Sequence, residues 1–328
     1  MLYKIAENDL KDVYRFHCSY PNYKETILRK LDNIFIKDES ERLKCNSFKI
    51  LGASYSLFKY FQRISSDVTD YISLKKYLKN SEIEIITASD GNYGVAVAKL
   101  CKDLEIQCSV IFPKDTPSFY CISAKRNNSK VILYDGNYDE CVLAAKKFQN
   151  CNKYIVLLDV AVDKNDRRMS NDVSMGYSTI FYELRNECFD YIFLPVGVGG
   201  LALSCLMFCK IFWHKTKVIS VEPCGYNSLY LSVQANREMR AQGGETIANG
   251  LKCIKLSLIA LPMLLTGIYG CCTVQDSEIK LAYKHLESNK IHTGYTGCSS
   301  YAATLQELHG SLFKNKRVLA VNTEWSQY

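Results

Sequence analysis

The feature that most constrains the fold is a unit that recurs along the chain: a short apolar run, a glycine turn, then a helix rich in small residues. "EIEIITASDGNYGVAVAKLC" (residues 82–101) shows it first. Ile83, Ile85 and Ile86 form a short buried strand, Ser89-Asp90-Gly91-Asn92 the turn, and "YGVAVAKLC" the helix. The strands "IQCSVIFP", "SKVILYDG" and "KYIVLLD" follow, with the helical "YDECVLAAKKFQN" among them. Later "DYIFLPVGVGGLALSCLMFCKIF" repeats strand, glycine turn and helix, and "KVISVEP" returns as a strand. Buried strands alternating with helices predict an α/β architecture with parallel sheets. Ligands in such sheets bind at the carboxyl ends of strands, so the glycine turns are where function is sought.

Composition narrows the class. A chain of 328 residues, 48% of them hydrophobic, has material for one large or two medium domains. The net charge of +7 is spread along the chain, and its densest clusters, such as "KKYLK", are short and lack arginine. A solvated surface explains this better than nucleic-acid binding. No apolar run is long enough to span a membrane. "LSLIALPMLLTGIYGCC" comes nearest, but Pro262 and two glycines interrupt it, and it is read as buried core. The N-terminus carries charges too early for a signal peptide. Fifteen cysteines without a C-x-x-C are read as free thiols in a reducing cytosol. Cys205 and Cys209 have helical spacing, but no metal site is expected. His17, His214, His285, His292 and His309 form no motif and are read as structural or surface residues.

Three stretches carry candidate chemistry. In "CNSFKILGASYS", Ser47 is a candidate N-cap, and Phe48, Leu51, Tyr55 and Phe58 form an apolar helical stripe. Lys49 then falls in the first turn, beside Gly52, Ala53 and Ser56. Helix N-termini repel cations. Either Lys49 reaches water from the rim, or the small residues leave room for a ligand that needs its amine, a nucleophile toward aldehydes. In "PVGVGGLA", the amides of Gly197, Gly199 and Gly200 can converge on an anion at a helix start. No P-loop lysine follows, and Ala202 stands where a dinucleotide fingerprint has its third glycine. Glu222, ending the next strand, could bind a ribose, so the kind of phosphate stays open. In "TASDGNYG", the helix start suits a carboxylate, and Asp90 is either a cap or an acid/base.

Together these stretches, in this order and spacing, resemble the fold-type II pyridoxal-phosphate enzymes. The closest resemblance is to diaminopropionate ammonia-lyase. "IKDESERLKCNSFKILGASYS" is similar to that family's K-D-E-S-x-R-x-x-x-x-x-F-K-x-L-G segment, and "TASDGNYG" to its T-x-x-D-G-N-H-G. "LLDVAVD", "MSNDVSMGY", "SVEPCGYNSLYLS" and "GETIANGL" resemble later segments, and the likeness runs from about Tyr20 to Glu324.

The resemblance implies two domains, each a mostly parallel twisted sheet flanked by helices, with the cofactor in the cleft between them. Residues 1–47 plus 159–328 would form the large domain with the phosphate loop, and 48–158 the small domain with the substrate-carboxylate loop. It implies pyridoxal 5′-phosphate held as a Schiff base on Lys49. Gly197, Val198, Gly199 and Gly200 would cradle the phosphate, Asn92 would bond the ring hydroxyl oxygen, and Thr323 would face the pyridine nitrogen. A neutral hydroxyl there suits elimination more than transamination. Ser89, Asp90, Gly91 and Asn92 would hold the carboxylate of a small amino-acid substrate. Lys49 would take the α-proton of an L-substrate, and Asp90 that of a D-substrate. Asp159 would bind a β-amino group and help it leave. A cytoplasmic homodimer, with no nucleic-acid or membrane partner, is the implied setting.

The expected reaction is β-elimination from 2,3-diaminopropionate to pyruvate and ammonia. Two alternatives stay open: β-replacement through aminoacrylate, and a cofactor-binding protein with lost or altered catalysis. A nicotinamide dehydrogenase would leave Lys49 and the Asp90 loop unexplained. The chain departs from the family pattern at Tyr93, where a histidine is usual. It departs again at Tyr295–Cys298, which keeps Gly297 but lacks the carboxylate, at Ile254, and in the ending "TEWSQY".

Overall fold

The structure is a computed structural model and describes residues 5–79, 81–150, 153–161, 167–308 and 315–325. His309, Val162, Asp163 and the last three residues of "TEWSQY" lie outside the described residues. The first half runs α1 (Glu7–Cys18), β1 (Leu28–Leu31), β2 (Ile34–Asp38), α2 (Lys49–Gln62), α3 (Tyr71–Leu78), β3 (Glu84–Ala88), α4 (Asn92–Leu104) and β4 (Gln107–Pro113). It continues with α5 (Ser118–Arg126), β5 (Lys130–Tyr134), α6 (Tyr138–Lys146), β6 (Tyr154–Val156) and α7 (Arg167–Gly176). The second half runs α8 (Ser178–Tyr182), β7 (Tyr191–Pro195), α9 (Gly200–Cys209), β8 (Lys217–Pro223), α10 (Ser228–Ala235) and α11 (Leu261–Gly267). It ends with β9 (Gly270–Val274), α12 (Asp276–Ser288), α13 (Ser299–Leu308) and β10 (Val318–Asn322).

Two compact units result. The described residues of one fall within Met1–Tyr14, Lys24–Phe48 and Tyr177–Tyr328; those of the other fall within Arg15–Tyr23 and Lys49–Gly176. The first holds a six-stranded sheet in the order β1-β2-β10-β7-β8-β9. Only β1 and β2 pair antiparallel; the rest are parallel. Its strands are covered on both faces, which is why "YIFLP" and "VLAVN" are continuous apolar runs rather than alternating ones. Tyr191, Phe193, Val318 and Ala320 join a core with Ile279, Leu286 and Tyr301 of α12 and α13. The helix α9 packs against β7 and β8.

The segment "KDES" and Arg42 form a buried ionic network in this unit. Arg42 is fully buried and bonds Glu39 at 2.7 Å and Glu183 at 2.6 Å. Lys37 also pairs with Glu183, and the Thr26 hydroxyl donates to Glu39 at 2.6 Å. Every charge has a partner, the condition under which buried ions persist. Burial alone would push the Glu183 carboxyl up, but Arg42 and Lys37 overcome it and hold the group well below its ordinary value.

The second unit holds a four-stranded parallel sheet in the order β5-β4-β3-β6. Two of its helices start where the sequence supplies caps: Asp70 and Ser73 at α3, Asn137 and Glu140 at α6. The helix α2 is buried from Ile50 to Phe58, with α4 and α7 packed on it. The small-residue face of α2, which on one of the two readings would leave room for a ligand, is covered by α7. Ser56 donates to the Met169 carbonyl at 3.1 Å, and Gly176 lies so near Leu51 and Gly52 that a Cβ would sit 2.4 Å from the Leu51 oxygen. Ser47 lies in an isolated bridge with Glu324, and α2 begins at Lys49.

Other expectations resolve individually. The segment 256–272 is mixed rather than uniform core: Leu256, Ile259 and Leu264 are buried, while Tyr269 is exposed. His17 is buried with its Nε2 3.1 Å from the Leu51 carbonyl oxygen; His285 bonds Tyr301, His292 stacks on Trp325, and His214 is exposed. Cys101, Cys108, Cys121, Cys141, Cys188, Cys224, Cys271 and Cys298 are free thiols, and the Cys205 and Cys209 sulfurs lie 3.8 Å apart. Among the described residues no three His, Cys, Asp or Glu side chains group as metal ligands, and no helix is long and apolar enough to cross a membrane.

Candidate active site

The same topological device appears in both units. In the four-stranded sheet the chain moves one way through β3, β4 and β5, then returns to add β6 on the other side of β3. The carboxyl ends of β3 and β6 are neighbours at this reversal, the place where open α/β sheets bind ligands. Ser89, Asp90 and Gly91 leave β3 there, and Asp159 follows β6, with the Leu157 amide still bonded to Ile86 at 2.9 Å.

The 89–92 loop is fixed from within. The Ser89 hydroxyl accepts from the Gly91 amide at 3.0 Å and donates to the Gly91 carbonyl at 3.2 Å. Gly94 lets α4 lie close on the sheet, because a Cβ would meet Val110 and Phe112 below 3 Å. Gly91 precedes α4 with no side-chain cap, so the helix start keeps N–H groups for an anion. Asn92 is half-buried, and its amide side chain bonds no protein group among the described residues. Asp90 is half-buried and does not cap α4. Burial, then the charge of Asp90, pushes the Cys141 thiol up to about 12.

Lys49 opens α2 and reaches Asp159: Nζ to Oδ2 is 2.8 Å, with the lysine side chain 22% and the aspartate 9% exposed. The sequence placed a cation at a helix N-terminus, and the structure supplies the carboxylate that offsets the repulsion. Two aromatic residues complete the group. Tyr138, at the start of α6, donates its hydroxyl to Asp159 Oδ1 at 3.2 Å. The ring of Tyr93 is buried, its centroid 5.8 Å from Lys49 Nζ. Sequence reasoning missed Tyr138. The available signal was the capping pair Asn137 and Glu140, which sets Tyr138 in the first turn after β5.

In the six-stranded sheet the chain moves through β7, β8 and β9, and β10 lies on the other side of β7. Residues 197–200 leave β7 and Thr323 leaves β10, so again both stand at the reversal. Gly199 has φ +95°, and a Cβ on it would meet Leu264 at 2.7 Å. The positive φ is what favours glycine here. A Cβ on Gly197 would sit 3.2 Å from the Cys253 sulfur and the Gly250 carbonyl oxygen. The amides of Gly197, Val198 and Gly199 donate to no protein acceptor among the described residues, while the Val198 carbonyl accepts from Ser257 at 2.9 Å. Thr323 is 1% exposed, and its hydroxyl has no hydrogen-bond partner there. Its carbonyl accepts from Phe48 at 3.2 Å.

Glu222 is otherwise employed than the ribose reading expected. It is fully buried and accepts from the amides of Leu229 and Tyr230, at 2.8 and 2.9 Å, capping α10. Burial pushes it up to about 7 against the pull of those two bonds. The segment 295–298, which lacks the family's carboxylate, lies against a carboxylate from elsewhere: Glu324, 1% exposed, accepts from the Gly297 amide at 3.0 Å.

These residues fit pyridoxal phosphate on three independent points. The chain offers a primary amine held by a carboxylate, a glycine loop with three spare amides before a helix, and a buried hydroxyl without a partner. The Thr323 hydroxyl is one of several buried side-chain atoms without a bond among the described residues, and its place after β10 suits a ring nitrogen.

Comparison with known proteins agrees with this chemistry. The family model described as pyridoxal-phosphate dependent enzyme matches residues 21–324. Diaminopropionate ammonia-lyase of Salmonella typhimurium is 27% identical over 282 residues, 77% of this chain and 69% of that protein. Threonine dehydratase 2 of Solanum lycopersicum is 26% identical over 296 residues, 88% of this chain but 45% of that one. The crystal structure of the Escherichia coli diaminopropionate ammonia-lyase with an aminoacrylate-PLP azomethine reaction intermediate superposes with a TM-score of 0.86. It is 22% identical and covers 98% of this chain and 89% of its own. A glycine-cradled loop, a partnerless threonine, a helix-start lysine and a family match along nearly the whole length lead to one statement: the chain belongs to the pyridoxal-phosphate dependent enzymes.

Proposed function

We propose that this enzyme catalyses β-elimination from a small amino acid bearing a cationic β-substituent, with 2,3-diaminopropionate as substrate and pyruvate and ammonia as products. The observation that carries the reading is the pair of Lys49 and Asp159, 2.8 Å apart at the sheet reversal. A carboxylate that holds a primary ammonium in this way is suited to a β-ammonium group, and less to a neutral hydroxyl. The diaminopropionate ammonia-lyases among its relatives support the same substrate.

Each residue has a task. Lys49 holds the cofactor's aldehyde carbon through Nζ. The amides of residues 197–200 receive the phosphate, Thr323 donates its hydroxyl to the pyridine nitrogen, and Asn92 bonds the ring hydroxyl oxygen. Ser89, Asp90, Gly91 and Asn92 form the loop for the substrate carboxylate. When bound, pyridoxal phosphate supplies the electron sink that makes the α-proton removable. The Lys49 amine would remove that proton from an L-substrate, and the Asp90 carboxylate would remove it from a D-substrate on the opposite face. Asp159 binds the β-ammonium and orients the departing C–N bond. The β-nitrogen leaves as ammonia, and the released enamine takes up one water to give pyruvate and a second ammonia.

The test is the visible spectrum of the loaded protein with D- and L-2,3-diaminopropionate, with pyruvate assayed in parallel. A spectral change with pyruvate formation supports the proposal. A new amino acid formed with an added thiol, and no pyruvate, moves the reaction to β-replacement. No change with either enantiomer refutes the substrate. A homodimer in a reducing cytoplasm belongs to the same proposal, and sedimentation reads the assembly.

A further inference from the structure

We propose that the ring of Tyr93 is a specificity-determining surface, selecting substrates whose β-substituent is a cation. The inference deepens the proposed function and rests on it. The Lys49 ammonium stands in for the group to be recognised, since the end of a lysine side chain and the β-carbon of 2,3-diaminopropionate both carry a primary ammonium on a methylene. That ammonium is received from two sides, by Asp159 Oδ2 at 2.8 Å and by the Tyr93 ring with its centroid at 5.8 Å. The second distance lies within reach of a cation–π attraction, which strengthens when water is excluded. Tyr93 is 3% exposed.

Neither partner is free to turn away. Asp159 is 9% exposed, and its second oxygen is occupied by the Tyr138 hydroxyl at 3.2 Å. Tyr93 belongs to the first turn of α4, and that turn is seated on β4 by the close approach at Gly94. The carboxylate attracts the charge, and the ring face adds an attraction that a hydroxyl cannot share. With Lys49 holding the cofactor, Asp159 and the Tyr93 ring would be left to receive the substrate's β-ammonium.

The experiment uses the full chain loaded with cofactor, as wild type, Tyr93→Phe and Tyr93→Leu. Binding of 2,3-diaminopropionate and of serine is read from the cofactor's absorbance, and kcat/KM from product. Tyr93→Phe should keep the preference for the diamine. Tyr93→Leu should weaken the diamine by about 2- to 30-fold and leave serine within twofold. Equal losses on both substrates, or a preference unchanged in Tyr93→Leu, overturn the proposal. Should the wild type act on neither substrate, the proposed function fails, and a second measurement decides the ring on its own. Ethylammonium is added to Lys49→Ala and to Lys49→Ala with Tyr93→Leu, and binding is followed by saturation-transfer NMR. Binding by the first that is weakened in the second supports the cation surface; equal binding, or none by the first, overturns it.

Discussion

Replacing Gly176 with alanine is a small change with a calculable consequence. The added Cβ would lie 2.4 Å from the Leu51 carbonyl oxygen, 2.8 Å from the Gly52 Cα and 2.9 Å from the Leu51 carbonyl carbon. Ordinary contact begins at 3.4 Å, so α7 and α2 must part by 1.0 Å (3.4 minus 2.4) at this point. Every atom in the way is backbone, so no rotamer change relieves it. Overpacking of this kind costs about 1–3 kcal/mol. The displaced residue is Leu51, two positions after Lys49, so the shift reaches the amine. A misplacement of about 1 Å costs on the order of 100-fold in rate. The assay is urea unfolding beside pyruvate formation under conditions where the variant is folded. Gly270→Ala is the control, since a Cβ there meets nothing within 4 Å and should change stability by under about 0.5 kcal/mol. If Gly176→Ala matches Gly270→Ala in stability and keeps wild-type turnover, the packing argument is refuted.

Four further outcomes follow from the same structure. Glu183→Ala should destabilise by about 3–5 kcal/mol, because Arg42 and Lys37 are left buried without their shared partner. Since the folded state holds Glu183 below its ordinary 4.5, its contribution is present above that pH and lost as the pH falls through the depressed value; Glu183→Gln should flatten that acid limb of the stability profile. Glu222 has the opposite sign: raised to about 7, it makes the fold bind a proton more tightly than the unfolded chain does. Stability should therefore fall by roughly 3 kcal/mol as pH rises from 4.5 to about 7, and Glu222→Gln should lack that fall; superimposable profiles would contradict it. Thr323→Val should leave the cofactor-free protein as stable as wild type, or more so, while weakening cofactor binding by about 2- to 10-fold, measured by fluorescence titration. Asp90→Asn should reduce turnover of the D-enantiomer more than of the L-enantiomer, and equal losses would assign the carboxylate to structure.

What the sequence disclosed was local. Glycine turns after apolar runs marked the ends of β3 and β7, and a lysine at a helix start marked a cation out of place. These signals lie within one helical turn or one strand, where periodicity and termini are readable. Contacts between distant segments were not readable in the same way. Tyr138 reaches Asp159 across 21 residues, and Arg42 meets Glu183 across 141. Nothing in "KDES" alone tells a catalytic cluster from a buried ion network, because that depends on a carboxylate far along the chain. The small face of α2 was ambiguous for the same reason: Gly52 and Ser56 look equally open whether a ligand or α7 covers them. Glu222 shows a further limit, since a carboxylate at a strand end can bind a ligand or cap the next helix, and only the position of α10 decides.

The proposed chemistry depends on Lys49 carrying the cofactor. The most direct measurement is borohydride reduction of the loaded protein, followed by digestion and peptide mass spectrometry. Reduced cofactor on the peptide containing Lys49, and none on Lys49→Ala, is the expected result. Cofactor found on another lysine, or equal labelling of Lys49→Ala, would contradict it.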